Sequence, residues 1–195
     1  MFDAAAPLLN HLSMATAVVT YDDYVALPDD GNRYEVIEGE LCLVPAPNRK
    51  HQEVLFNLAF ELRKFITRNK LGHVYISPFD VKLSDINVVQ PDVIYVSNGR
   101  LKILTEAGAS GAPDLAIEVL SASTRRRDEV IKLRLYEKFG VEEYWIIDMS
   151  QASIRIHGRK RGKLVLVDEL FDRDNAKLTT ALFPAMAIPF ARIFE

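Results

Sequence analysis

The sequence predicts an α+β fold within the wider α/β class, a mixed β-sheet flanked by helices. Three observations carry that expectation. Short runs rich in β-branched and aromatic residues recur along the chain, as strands require. Two longer segments repeat their apolar residues at helical spacing instead. The patterns follow one another as hairpin, helix, three strands, helix, strand and hairpin, an order that suits a mixed sheet.

Residues 1–20 read as a loosely ordered lead-in and residues 21–195 as a single domain. The Pro28-Asp-Asp-Gly31 turn precedes "RYEVI" and "ELCLV", two short strands joined through Glu38-Gly39 as an N-terminal β-hairpin. Pro45 and Pro47 end that unit. From Asn48, a candidate cap, Val54, Leu55, Leu58, Leu62, Phe65 and Ile66 mark a helix that Gly72 should stop. "HVYISPFDVKL" and "QPDVIYVS" read as the next strands, and a polar loop over 98–113 leads to a strand at 114–121. A second helix should run from a cap at Ser123 or Thr124 to Gly140, with Ile131, Leu135 and Phe139 as its apolar stripe. "EEYWIID" is then a strand, and "SIRIHG" and "KLVLVD" form a C-terminal hairpin extension around "RKRG". The Pro-broken tail "ALFPAMAIPFARIFE" is expected to pack back as a loop and short helix.

Composition narrows the function. At 195 residues the chain suits one domain with a sizeable core. No run approaches the roughly 18 apolar residues of a membrane span, and the N-terminus has no basic region typical of a signal peptide. The lone Cys42 excludes an intramolecular disulfide and a multi-cysteine zinc site, and suits a cytoplasmic location. A net charge of −3 and a pI near 5.9 argue against a generally basic nucleic-acid binder, so contact with DNA needs a local patch.

The stretch "GAPDLAIEVLSAST" raises the main chemical question. Leu115, Ile117 and Val119 line one face of its strand, while Ala116, Glu118 and Leu120 line the other. A carboxylate in a buried strand costs several kcal/mol unless a cation, a metal or a donor network meets it. Glu118 therefore marks either a structural ion pair or edge position, or a site. Asp92, just after Pro91 at a strand entrance, reads alone as a turn residue. Two neighbouring strands that each offer one carboxylate make an oxygen site for a hard cation such as Mg²⁺. Lys132 lies beside the apolar stripe of the second helix, with Asp128 and Tyr136 a turn away on either side. Its ammonium either snorkels to water or turns back over the sheet, where it could stabilise a phosphoryl transition state.

Other groups are less specific. Asp114 shares a face with Glu118 at roughly 13 Å, too far for one metal, and suits a backbone or loop cap. Glu35 and Glu38 flank the first turn; His51 and Glu53 open the first helix, within reach of a site at the sheet's end. His11, His73 and His157 have no ligand spacing. No phosphate loop, nucleophile elbow or HExxH pattern is present, and Cys42 alternates with Leu41 and Leu43 as packing. Basic residues cluster at 48–50, at Arg125, Arg126 and Arg127, and at Arg159, Lys160 and Arg161. The last two clusters are candidate nucleic-acid contacts or ordinary solvated charge.

"YEVIEGEL", a His-led helix, "QPDVIYV", "GAPDLAIEVLSAST" and "RDEVIKLRLYEKFGVEEYWIID" together resemble the Uma-two family of restriction-endonuclease-like proteins, within the PD-(D/E)XK nuclease superfamily. The resemblance spans roughly residues 20–190. It implies a restriction-endonuclease-like core and hydrolysis of DNA phosphodiesters by a metal-activated water, with Mg²⁺ or Mn²⁺ as cofactor. By the same resemblance Asp92 and Glu118 are the metal-binding acids. The motif lysine two residues after the glutamate is missing, because Leu120 stands there, and Lys132 from the following helix is the matching candidate. A homodimer acting on DNA is the expectation that follows. Its rivals are a nuclease acting on RNA and an inactive nuclease-fold protein that binds DNA or a partner.

Overall fold

The protein is described by a computed structural model over residues 17–172 and 176–195, so most of the expected lead-in lies outside the described residues. Thr20 and Asp23 exchange hydrogen bonds as a capping box and open α1 (Tyr21–Val25), a short helix not expected from the periodicity. Glu38 and Gly39 then take left-handed backbone at φ 52° and 80°, the pair that a two-residue hairpin turn needs. They join β1 (Arg33–Ile37) to β2 (Glu40–Val44), with Ile37 opposite Glu40.

α2 (Arg49–Arg68) starts where the Asn48 side chain accepts the amide of His51. It ends earlier than Gly72, at Asn69, whose side-chain amide donates to the Phe65 carbonyl at 2.8 Å. Gly72 instead opens β3 (Gly72–Ile76), where a Cβ would lie 2.1 Å from the Val96 carbonyl oxygen. The segment expected as one strand breaks at Pro78, which cannot donate to a ladder, and resumes as β4 (Asp80–Ser84). Pro91 does the same between β5 (Asn87–Val89) and β6 (Val93–Ser97). A 3₁₀ turn over Asn98–Ile103 leads into β7 (Leu104–Thr105) and β8 (Gly108–Ser110), in place of the expected plain loop.

β9 (Leu115–Val119) carries the central apolar run. The connection after it is capped by Ser121, whose hydroxyl accepts the amide of Thr124, and not by Ser123 or Thr124. It includes a π-helical turn over Arg127–Lys132 and then α3 (Leu133–Phe139), which closes on left-handed Gly140 at φ 88°. β10 (Glu143–Asp148), β11 (Ser153–Lys160) and β12 (Lys163–Phe171) follow. Arg161 and Gly162 form the second left-handed two-residue turn, between β11 and β12. The tail holds β13 (Lys177–Leu178), β14 (Ile188–Pro189) and α4 (Ala191–Phe194).

The strands form two mixed six-stranded sheets flanked by helices, ordered β2-β1-β5-β4-β8-β7 and β12-β11-β10-β9-β6-β3. In the second sheet β9 and β10 are parallel, joined by the π-turn and α3, and the other neighbours are antiparallel. One face of this sheet packs Val93, Ile117 and Trp145 against Leu58 and Leu62 of α2 and Phe183 and Phe190 of the tail. Each fully buried side chain of this kind contributes about 1.5–3 kcal/mol. The other face packs Ile94, Ala116, Leu120 and Tyr144 against Val81 and Val89 of the first sheet and Leu135 of α3. Pro78 and Pro91 thus mark where the chain passes from one sheet to the other.

Candidate active site

Strand register brings the two acids together. β6 and β9 run antiparallel with Val93 opposite Ile117, so Asp92 and Glu118 are the next pair along. Both belong to the face shared with the first sheet, because side chains alternate. Asp92 bends over the end of β9, where its Oδ2 accepts the Val119 amide at 2.8 Å. The same oxygen lies 3.3 Å from Nε2 of His51, carried by the first turn of α2.

Glu118 is 5% exposed and is met by a buried donor set. Its Oε1 accepts from Lys132 Nζ at 2.8 Å and from the Tyr136 hydroxyl at 3.0 Å. Lys132 is 4% exposed, so it does not snorkel. Its ammonium also lies 2.8 Å from Glu35 Oε1 and 3.8 Å from Asp128 Oδ1. Glu35, 1% exposed on β1, accepts the Gln90 amide at 2.7 Å as well. One lysine thus ties the first sheet to the second. Tyr136 packs on Tyr144, whose hydroxyl donates to the Asp128 carbonyl and holds the π-turn against β10.

The charges are unequal. Burial drives Glu118 well above the ordinary carboxylate range, against the pull of Lys132, and Asp128, Asp92 and Glu35 push it further. Burial likewise raises Asp128 to about 6. Burial alone would lower Lys132, but Glu118, Glu35 and Asp128 outweigh it and hold the ammonium above the usual lysine range. Tyr136 is raised by burial and by Glu118, so it remains a donor. Burial also opposes a charged His51, and the hydrogen bond and charge of Asp92 reverse that. Three buried acids surround the one lysine. Glu35, His51, Asp92, Glu118, Asp128 and Lys132 line a cavity of about 310 Å³, together with Arg33, Asn48, Ser121, Thr124 and Arg127.

A model of the family described as "Uma2: Putative restriction endonuclease" matches residues 21–191. The chain belongs to the Uma2 family. Its fold is similar to the crystal structure of a "putative nuclease belonging to DUF820" from Anabaena variabilis, with a TM-score of 0.73 and 18% identity. That match covers 90% of this chain and 97% of the other. No curated protein matches. The family supports a nuclease, and the structural likeness shows the shared fold. No helix among the described residues is long and apolar enough to cross a membrane.

In this Uma2 family member Asp92, Glu118, Lys132 and His51 meet at one cavity, and Glu38 does not join them. Glu38 is exposed in the hairpin turn, where its amide donates to Asn87 Oδ1 at 2.9 Å. The buried acid of that strand is Glu35, two residues inward from Ile37. Alternation in "RYEVI" does not single it out, because Val36 on the opposite face is buried as well. Asp114 accepts the Ser97 amide at 2.7 Å, as a backbone cap does. Among the basic candidates, Arg125 is spent on Asp148 and Glu129 at 2.8 and 3.1 Å. Arg127 donates to the Leu43 carbonyl at 3.2 Å and lies 4.0 Å from Glu35. Arg159 donates to four carbonyls, those of Tyr136, Glu137, Val141 and Gly162, and closes the end of α3. Lys160 is exposed beside the turn residue Arg161, which is exposed too.

The residues fit a divalent cation of the Mg²⁺ type. Among the described residues, no three or more His, Cys, Asp and Glu side chains form a ready cage. Mg²⁺ does not require one, because it keeps several waters and binds through one or two carboxylates. Asp92 and Glu118 supply two hard oxygen donors from adjacent strands. Burial raises Glu118 and Asp128 first and the neighbouring acids add to it; a bound cation would relieve that added repulsion.

Proposed function

We propose that the protein is a Mg²⁺-dependent endonuclease that hydrolyses DNA phosphodiester bonds, with Asp92 and Glu118 as the metal-holding acids. The observation that carries this reading is the 2.8 Å contact from Lys132 to Glu118. Leu120, where the motif lysine would stand, is 3% exposed in the core and offers no charge. Lys132 delivers an ammonium to the same glutamate from the following helix. A bound divalent ion supplies Lewis-acid polarisation of the phosphate and activation of water.

The chain's own groups do the rest. Lys132 stays protonated and, itself buried, places fixed positive charge where negative charge develops. Tyr136 fixes the rotamer of Glu118, and the Val119 amide and His51 fix that of Asp92. Glu35 holds the lysine from the opposite sheet. A single site of this kind cuts one strand, so cleavage of both strands of a duplex calls for a homodimer.

The test is a Mg²⁺ and Mn²⁺ titration by calorimetry of wild type, Asp92→Asn and Glu118→Gln. It is paired with cleavage of duplex DNA, single-stranded DNA and RNA. Wild type should bind the ion and cut DNA, while each variant loses most of both. Equal binding in all three proteins would end the assignment of the acids, and cleavage of RNA alone would move the substrate class.

A further inference from the structure

We infer that Arg33 grips a backbone phosphate of the nucleic acid beside the scissile phosphodiester. This role rests on the nuclease reading above and adds to it a substrate-binding residue. Four cations line the cavity wall: Arg33, His51, Arg127 and Lys132. Lys132 is held by Glu35 and Glu118, each at 2.8 Å. His51 is held by Asp92 at 3.3 Å. Arg127 is engaged with the Leu43 carbonyl and faces Glu35. Arg33 alone in that wall makes no side-chain hydrogen bond or ion pair among the described residues.

Its position follows from the strand. Arg33 and Glu35 are alternate residues of β1, so they share a face. Glu35 points to the buried lysine, and Arg33, half-buried, lines the same cavity one step nearer the strand's start. Its charge is felt at the site, where it opposes protonation of His51. A guanidinium with an unspent fork in a cavity built for phosphate chemistry matches the bidentate geometry of a phosphate oxyanion. Arg33 is a lone arginine in the sequence and so carries no clustering signal, whereas the clustered Arg125, Arg127 and Arg159 are spent on the fold itself.

The experiment measures binding of a fluorescein-labelled duplex of about 20 base pairs, and of the same strand alone, by anisotropy from about 50 to 200 mM salt with Ca²⁺ in place of Mg²⁺. Wild type is compared with Arg33→Ala, Arg33→Gln and Arg33→Lys, each checked by thermal unfolding. Arg33→Ala and Arg33→Gln should bind about tenfold more weakly, with the logarithmic salt slope reduced by about one. Arg33→Lys should recover the slope and only part of the affinity, because a point charge replaces the fork. Wild-type affinity and slope in Arg33→Gln would overturn the assignment while leaving the nuclease reading intact. Failure of wild type itself to bind either DNA would remove both.

Discussion

Replacing Lys132 by methionine isolates what its ammonium does, because methionine has a similar reach and an adaptable apolar stem. The lysine is the cation in direct contact with Glu35 and Glu118 at 2.8 Å and sits 3.8 Å from Asp128. All three acids are buried. Removing one partner of a buried ion pair costs about 3–5 kcal/mol, since the other partner is left uncompensated. That is a large share of the roughly 5–15 kcal/mol that holds a domain together. With a urea slope of about 2 kcal/mol per molar, the midpoint should fall by about 2 M at pH 8 without metal. Burial already raises Glu118 and Asp128, so their protonated forms are favoured in the folded state. Without the ammonium they take up protons more readily still, and the deficit should shrink as pH falls toward 5. Urea denaturation of both proteins at pH 8 and pH 5 measures this. A loss under about 1 kcal/mol, or one equal at both pH values, would refute the view that Lys132 is the counter-ion of this cluster.

Two further outcomes follow from the same contacts. Arg159→Ala should lose about 1–3 kcal/mol by leaving carbonyls at the end of α3 without their donor, seen as a lower thermal midpoint. The salt slope of DNA binding should stay unchanged; a reduced slope would return Arg159 to the nucleic-acid contacts. Asp128 is raised from 3.8 to about 6 by burial, so its stabilising contribution is present below about pH 4 and lost as pH rises through 6. Asp128→Asn should therefore gain stability relative to wild type between about pH 4 and 7.5, by at most about 3 kcal/mol, and a flat difference across that range in urea denaturation would contradict the assignment.

What the sequence disclosed depended on how local the cause was. The hairpin at Glu38-Gly39, the cap at Asn48 and the stop at Gly140 are set by a few adjacent residues, and each reads directly. Asp92 and Glu118 stand out because a carboxylate in an apolar strand is costly wherever it lies. The breaks at Pro78 and Pro91 were half visible: a proline limits a strand, but nothing local says that the chain then changes sheet. α1 escaped because five residues are too few for periodicity, although Thr20 and Asp23 carry a capping box. Glu35 escaped because its burial comes from tertiary packing, through the neighbouring β5 and the lysine arriving from α3's side of the molecule.

The second helix shows the limit most clearly. Hydrophobic periodicity chose Ile131, Leu135 and Phe139 as its inner stripe; Leu135 is buried and Phe139 packs against the core, yet Ile131 is 41% exposed while Asp128, Lys132 and Tyr136 are buried. The inner face also includes polar members at helical spacing, which a reading by hydrophobicity does not mark. The burial of Lys132 is decided by the sheet beneath. Leu120 fills the core where a strand lysine would stand, and Glu118 is left with a carboxylate that must meet a cation or remain neutral. Turning Ile131 outward forgoes about 1–3 kcal/mol of apolar burial, whereas a buried glutamate without its lysine costs more. The electrostatic cost outweighs the lost burial, and the helix presents Lys132. The exposed isoleucine and the missing strand lysine are thus two consequences of one electrostatic requirement, placed in different elements of the chain.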